Sequence, residues 1–465
     1  MINGLAFINR TEELRFLEKR YKSSKAEFLI IYGRRRIGKT ALLKHFSKDK
    51  NTIYHLVSRE AEQDQIKEFH QTLTKKLPEL ADLKDDWEIL LTNLKNYPDL
   101  ILIIDEFQNL ISTKKEILNR IQKIWDECLK TSSIMLILTG SSIGMMETDV
   151  LSYKSPLYGR RTGQWKVQPL PFYESRKFFP TYTIADQIRS FAILGGVPFF
   201  LEQFDPKLTI QENMVENIAN NGCVLREETR NLLREELREP KNYFSILKNV
   251  AHGKTTFNEI VQQTGIIKNS LNKYLLSLQH LHLLEKKLPL TADEKSKQGR
   301  YYIKDNYFNF WFRFILPNET FLEQDFKKTV HEIIWPEIDT YVSRPFEEIC
   351  RQILLLDQPS YSKIGTWWYQ HNEIDIVALN EQSKNILYGE CKWQNKKMDK
   401  TVYEQLLEKK ELVRWKNTSR KERIVLFSKN GFTTGLNKIA QSENILLYDL
   451  KKMEDILLVK MKETK

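Results

Sequence analysis

Four short apolar runs punctuate the first part of the chain, at Phe28 to Tyr32, residues 52–57, Leu100 to Ile104 and Ile134 to Leu138. Continuous apolar runs of this length predict strands covered on both faces, and the helical spacing between them predicts a parallel βα sheet. From Pro169 to about Pro240 no strand pattern appears; apolar residues recur at helical spacing, and the charged stretch Leu225 to Leu237 predicts a long exposed helix. Residues 243–303 change again. Three helices are readable at Tyr243–Leu247, Phe257–Ile260 and Ile267–Leu278, followed by strands near 283–287 and 299–303 joined by a polar hairpin. The dense aromatic block Tyr307 to Phe314 predicts a buried helix, and a linker after Pro317 leads to a last domain in which Glu373–Leu379 alternates charged and apolar residues like a half-buried strand.

The run at 28–32 leads into Gly33-Arg34-Arg35-Arg36-Ile37-Gly38-Lys39-Thr40, a complete G-x-x-x-x-G-K-[ST] phosphate-binding loop, and Ala41 continues into the next helix. Gly33 and Gly38 let backbone N–H groups approach phosphate oxygens, with Arg36, Ile37 and Ala41 also contributing to the cradle. Lys39 would reach the β and γ phosphates and Thr40 would hold Mg²⁺, so ATP with Mg²⁺ is the expected ligand. The run at 100–104 ends in Asp105-Glu106: Asp105 belongs in the Mg²⁺ shell, and Glu106 is placed to orient or deprotonate an attacking water. Thr139-Gly140-Ser141-Ser142 ends the next run. It reads either as a sensor of the γ-phosphate, with Thr139 as the hydroxyl, or as a plain turn with a helix cap. Arg160 and Arg161 are either cations for transition-state charge, within one protomer or across an interface, or a surface pair. Gly195-Gly196-Val197-Pro198 either presses on a nucleotide base or punctuates two helices.

A chain of 465 residues calls for several domains. We divide it into an ATPase core at 1–165, a helical lid at 166–241, a winged helix at 242–317 and a terminal α/β domain at 325–465. The formal net charge of +11 fits a polyanionic partner, though the excess is modest for the length. Four cysteines lie far apart with no C-x-x-C pair, which argues against disulfides and structural zinc. Neither a membrane span nor a signal peptide is readable, so a cytoplasmic setting is expected.

The terminal domain carries a second chemical pattern. Period two puts Glu390 and Lys392 of the Asn385–Trp393 run on one face; if that strand pairs with Glu373–Leu379, Asp375 and Glu390 can share a divalent metal while Lys392 positions or activates a water. Glu347 on an upstream helix could add a carboxylate, and Gln405 on a downstream helix is expected to face inward. Lys392 to Arg423 holds eleven Lys/Arg against five Asp/Glu, and Trp367-Trp368-Tyr369 precedes the strand, so nucleic acid, DNA foremost, is the expected polyanion. In the winged helix, Lys268, Asn269, Ser270, Asn272 and Lys273 would face a DNA groove, with protein interaction as the other use of such a module.

Nearly end to end, the chain resembles the archaeal-type P-loop ATPases of the STAND group among the AAA+ relatives, which carry a winged helix and a C-terminal restriction-endonuclease-like domain of the PD-(D/E)XK class. The residues that carry the resemblance are Asn9 to Leu14, the Gly33–Thr40 loop, Asp105-Glu106, Thr139–Ser142, Tyr158–Arg161, Gly195–Pro198, Asp305–Phe314, Glu373–Asp375 and Gly389–Trp393. The resemblance implies that Asn9 and Arg10 lie near the adenine, that Pro198 touches the base from the lid, and that ATP binding and hydrolysis switch the lid and winged helix. The Pro that names the nuclease class is replaced here by Ile374. Three readings follow: an ATP-regulated DNA-processing enzyme cutting through Asp375, Glu390 and Lys392; a nucleotide-switched DNA-binding regulator with an inactive nuclease fold; and an ATPase that assembles into a nucleotide-dependent homo-oligomer.

Overall fold

Each of the four predicted runs is a strand: β1 (Glu27–Tyr32), β2 (Thr52–Leu56), β3 (Ile101–Asp105) and β4 (Met135–Gly140), joined by β5 (Gly163–Lys166). They form one sheet in the order β2-β3-β4-β1-β5, with every neighbouring pair parallel. All residues of β1, β3 and β4 are buried, as expected for central strands between two helical layers. The helix Ile117–Glu127 shows how a layer is made: Ile117, Leu118, Ile121, Ile124 and Trp125 recur at helical spacing and enter the core that holds Leu102, Ile104, Leu136 and Leu138. β5 has no signal in the sequence, since Gly-Gln-Trp-Lys is short and only half-buried at the sheet edge.

The structure, a computed structural model, describes residue 8, residues 10–237 and residues 239–463. The chain divides into two compact units, one of Met1–Pro169 with Val197–Phe199, the other of Leu170–Gly196 with Phe200–Lys465. The parallel sheet is the heart of the first. Ligands in such sheets sit at the carboxyl ends of the strands, and register sets those ends side by side: Tyr32 lies opposite Gly140 and Ile104 opposite Leu138.

In the second unit, helices Pro240–Ala251, Phe257–Thr264 and Lys268–His280 precede an antiparallel hairpin of β6 (Leu284–Lys287) and β7 (Arg300–Ile303). Thr256 and Glu259 form a capping box that starts the middle helix, and Thr256 also bridges to Arg300 of β7, which ties hairpin to helices. The third helix buries Leu271, Leu275 and Leu278 and exposes Lys268, Asn269, Asn272 and Lys273, with Ser270 half-buried. The aromatic block is buried as expected: the Tyr307 hydroxyl donates to the Leu225 carbonyl at 2.6 Å, and Trp311 Nε1 donates to that of Arg226 at 2.7 Å.

The terminal sheet runs β12-β11-β10-β9-β8, where β8 is Lys363–Tyr369, β9 Asn372–Asn380, β10 Asn385–Lys392, β11 Lys421–Ser428 and β12 Leu446–Asp449. β8, β9 and β10 are antiparallel neighbours, whereas β10, β11 and β12 are parallel. One face packs Ile376, Ala378, Leu387 and Val425 on Phe346 and Ile349 of the helix Ile338–Asp357, together with Ile188 and Phe191 of the helix Ile184–Leu194. The other packs Val377, Leu379, Ile386 and Leu426 on Leu406 and Leu436. Ile374 belongs to the second core and Ile376 to the first, so the strand breaks its two-residue alternation at Asp375. Among the described residues no helix is long and apolar enough to cross a membrane.

Candidate functional site

The phosphate loop leaves β1 through Gly33, where a Cβ would stand 2.6 Å from the Val167 carbonyl oxygen, so only Gly fits. Gly38 has φ +92° and begins the helix Lys39–Phe46, which places the helix N-terminus at the loop. Lys39 is buried, and its Nζ donates to the carbonyls of Gly33 at 2.9 Å and Arg34 at 3.2 Å. Burial lowers its pKa to about 8 against the opposing pull of Glu106 and Asp105. Ile37 is buried, whereas Ala41 is exposed on the first helical turn.

Around the loop, Arg10 is buried and uses its guanidinium on the protein: Nη2 donates to the Ile37 carbonyl at 2.8 Å and Nη1 to that of Gln168 at 2.7 Å. Arg10 therefore braces the loop. Asn9 lies outside the described residues. The Gly195–Pro198 turn brings Pro198 Cγ to 3.9 Å from where a Cβ of Gly38 would stand, and the next residue, Phe199, lies under the Arg36 guanidinium at 3.9 Å from its ring centroid.

At the end of β3, Asp105 is buried and its Oδ2 accepts from the Thr40 hydroxyl at 2.8 Å and from the Tyr54 hydroxyl. A hydroxyl and a carboxylate meeting at the loop form a hard-oxygen donor pair that fits Mg²⁺. Burial, followed by the hydrogen bond to Asp105, holds the Tyr54 phenol well above its ordinary pKa, so it stays a donor. Glu106 follows with φ +55°, a left-handed conformation for a non-Gly residue. Its Oε2 accepts from Ser141 Oγ at 2.7 Å and from Gln108 Nε2. The hydroxyl that reaches the glutamate is thus that of Ser141. Thr139, the hydroxyl of the sensor reading, is wholly buried one residue short of the strand end, with no hydrogen-bond partner for Oγ1 among the described residues. Arg160 is bound to Asp126 through Nε at 2.7 Å and to the carbonyls of Pro156 and Tyr158, and Arg161 lies over the Tyr158 ring at 5.4 Å. Both side chains are half-buried.

In the terminal sheet, the β9–β10 ladder ends at Ile376 and Gly389, and beyond it Asp375 Oδ2 accepts the Cys391 N–H at 2.8 Å. Glu390 is buried, with Oε2 held by Lys392 Nζ at 2.8 Å and Oε1 by Lys409 Nζ at 2.7 Å; Lys392 also lies 3.8 Å from Asp375. Burial and the neighbouring Glu347 and Glu390 push the Asp375 carboxyl well above its usual range, and burial raises Glu347 too. Lys392 is raised, since Asp375 and Glu390 outweigh its burial. The buried Arg351 compensates this acidic group, with Nη1 3.7 Å from Glu347, Nε 3.1 Å from Glu348, and Nη1 donating to the Asp375 carbonyl at 2.9 Å.

Gln405 corrects one expectation: it is exposed, and from the same helix it is Lys409, one turn later and with a longer side chain, that reaches Glu390. Among the described residues no group of three or more His, Cys, Asp and Glu side chains is arranged to hold a metal ion. Asp375 and Glu390 supply only two carboxylates, and ammonium groups occupy both oxygens of Glu390. As the side chains stand, the ammonium groups of Lys392 and Lys409 compete with any cation for Glu390. Tyr54, Gln108, Phe199, Lys409 and Arg351 carry no mark in the sequence; each is distant from the motif it serves or lacks a spacing that distinguishes it.

A family described as an ATPase domain predominantly from Archaea matches residues 7–204, and a second, of archaeal and bacterial proteins of unknown function, matches residues 311–405. The uncharacterized protein MJECL04 of Methanocaldococcus jannaschii is 38% identical over 415 residues, 88% of this chain and 92% of that protein. The uncharacterized ATP-binding protein MJ0423 of the same organism is 54% identical over 50 residues, 11% of this chain and 85% of its own length. Among solved structures, the Walker-type ATPase paby2304 of Pyrococcus abyssi aligns with a TM-score of 0.51 at 21% identity, covering 66% of this chain and 96% of that one, a likeness of fold.

Proposed function

Because this chain belongs to the family of the Methanocaldococcus jannaschii protein MJECL04 and carries an archaeal-type ATPase domain, we propose that it binds and hydrolyses ATP with Mg²⁺ and uses the nucleotide state to control its hold on DNA. The observation that carries the first half is the meeting of Thr40 with Asp105 at 2.8 Å beside the buried Lys39. Mg²⁺ at Thr40 and Asp105 would screen the phosphate charge. Lys39 neutralises the β and γ phosphates, and Glu106 takes the proton of the attacking water. Arg36 and Phe199 wall the loop, and Pro198 lies over Gly38.

Lys39 gives a direct test. With a pKa near 8 in the free protein, it is partly neutral at pH 8 and becomes fully charged beside phosphates. ATP binding at pH 8 should therefore take up on the order of half a proton, and almost none at pH 6. Calorimetry in buffers of different ionisation enthalpy measures this; uptake that is absent at pH 8, or equal in Lys39→Ala, would sink the assignment.

For the second half, we read residues 242–317 as a winged helix and 325–465 as a nuclease-like domain in a STAND-type switch. Support comes from the three helices tied to a hairpin with Lys268, Asn269, Asn272 and Lys273 exposed, and from Asp375, Glu390 and Lys392 converging where β9 and β10 part. The ion pairs on both Glu390 oxygens favour a nuclease fold that grips DNA over one that cuts it. We expect Lys268→Ala with Lys273→Ala to weaken duplex binding about tenfold and to lower its salt slope by about 2. Wild type should leave single-stranded, duplex and branched DNA and RNA uncut with Mg²⁺, with or without ATP. Cleavage lost in Lys392→Ala would instead establish the nuclease reading.

A further inference from the structure

Gln108 stands two residues after Glu106, buried, with a carboxamide whose every bond points to one small group of atoms. Its Oε1 accepts the Ser141 N–H at 3.2 Å, and its Nε2 donates to Ser141 Oγ at 3.1 Å and to Glu106 Oε2. Ser141 Oγ in turn donates to the same Glu106 oxygen at 2.7 Å. A backbone N–H can meet only the oxygen of an amide, so the nitrogen must face the carboxylate. The space is shaped for this group: a Cβ on Gly140 would stand 2.7 Å from Gln108 Oε1 and 2.6 Å from Met146 Sδ.

The carboxylate so held lies within electrostatic reach of Lys39 in the phosphate loop. Of the two acids that support the charge of Lys39 against burial, Glu106 acts more strongly than Asp105. Its backbone sits at φ +55°, and the Phe107 N–H is tied to the Thr139 carbonyl at 2.9 Å, so the turn that carries it is anchored to β4.

We propose that Gln108 is a positioning residue for hydrolysis: with Ser141 it fixes Oε2 of Glu106 and so aims Oε1 at the water that attacks the γ-phosphate. The assignment rests on the reading of Glu106 as the general base. In the step it serves, the water oxygen bonds to the γ-phosphorus, the bridging P–O bond breaks with its electron pair leaving on ADP, and the water proton passes to Oε1 of Glu106. Gln108 touches neither water nor phosphate; it acts by removing the freedom of a side chain that must meet both.

The test compares steady-state ATP hydrolysis by the full chain for wild type, Gln108→Ala, Gln108→Glu, Glu106→Gln and the double variant Glu106→Gln with Gln108→Ala. Gln108→Glu keeps size and shape but turns an oxygen toward the carboxylate, so it probes the bond without emptying the space. Both Gln108 variants should lower kcat roughly ten- to a hundredfold with KM within about twofold of wild type, a share of what a general base supplies. In the double variant the residual rate should equal that of Glu106→Gln alone, because Gln108 acts only through Glu106. A kcat within about twofold of wild type in both Gln108 variants, or losses that multiply in the double variant, would overturn the proposal. Wild-type turnover in Glu106→Gln would overturn the underlying base assignment as well, which separates the two failures.

Discussion

Glu106→Gln is expected to lower the turnover of ATP by about 10²–10⁴-fold while leaving nucleotide affinity close to that of wild type. The carboxamide keeps the shape of the carboxylate and can still meet the Ser141 hydroxyl, which lies at 2.7 Å in the native protein, but it cannot accept a proton from water. Lys39→Ala should abolish turnover by a different route. Its ammonium crosses the mouth of the loop, bound to the carbonyls of Gly33 and Arg34, and its removal takes away the charge that meets the phosphates, so affinity falls too. Phosphate release against ATP concentration, with fluorescent-nucleotide binding measured on the same preparations, separates them. If Glu106→Gln turned over at the wild-type rate, or if Lys39→Ala bound ATP normally, the chemistry assigned to the end of β3 would be wrong.

The first site is readable in the sequence because its demands are local. A backbone that must approach phosphate needs Gly33 and Gly38 at fixed spacing, and a metal shell at a strand end needs an acid directly after an apolar run. What the sequence withholds is decided by register and side-chain length. Thr139 and Ser141 are both hydroxyls at the end of β4; only the pairing of β4 with β1, which sets Gly140 opposite Tyr32, leaves Thr139 enclosed and Ser141 at the mouth. Gln405 and Lys409 stand one turn apart on the helix Lys400–Lys410, and the longer side chain makes the contact. The β9 alternation that predicts a simple half-buried strand breaks at Asp375, where the two neighbouring isoleucines enter opposite cores. Arg10, expected near the adenine, sends guanidinium donors to the carbonyls of Ile37 and Gln168, contacts that its spacing from the loop does not mark. Helix Ile184–Leu194, read as part of a lid, shares its apolar face with the terminal sheet, a packing between distant segments that composition does not encode.

The second large effect is structural and centres on Arg351. Its side chain is 10% exposed, yet it answers Glu347, Glu348, the Asp375 carbonyl and, at 3.1 Å, the Thr366 hydroxyl. Arg351→Met keeps most of the aliphatic stem and removes the cation, leaving the half-buried Glu347 and Asp375 without it. Unfolding of the second unit in urea should show a loss of about 3–5 kcal/mol at neutral pH, the usual cost of breaking a buried charge pair from one side. The pH dependence follows from the direction of the acid shifts. Glu347 and Asp375 are raised by burial in the folded protein, so the folded state holds protons that the unfolded chain gives up. Stability from these two groups is therefore greatest at low pH and declines as pH climbs above the unfolded carboxylate range near about 4. Without the guanidinium that decline steepens, so the deficit of Arg351→Met should be larger at pH 7.5 than at pH 5. A deficit below about 1 kcal/mol at both values would mean that the acids find other partners, Lys392 and Lys409 foremost. A deficit independent of pH would mean that Arg351 stabilises through its hydrogen bonds to Thr366 and the Asp375 carbonyl alone.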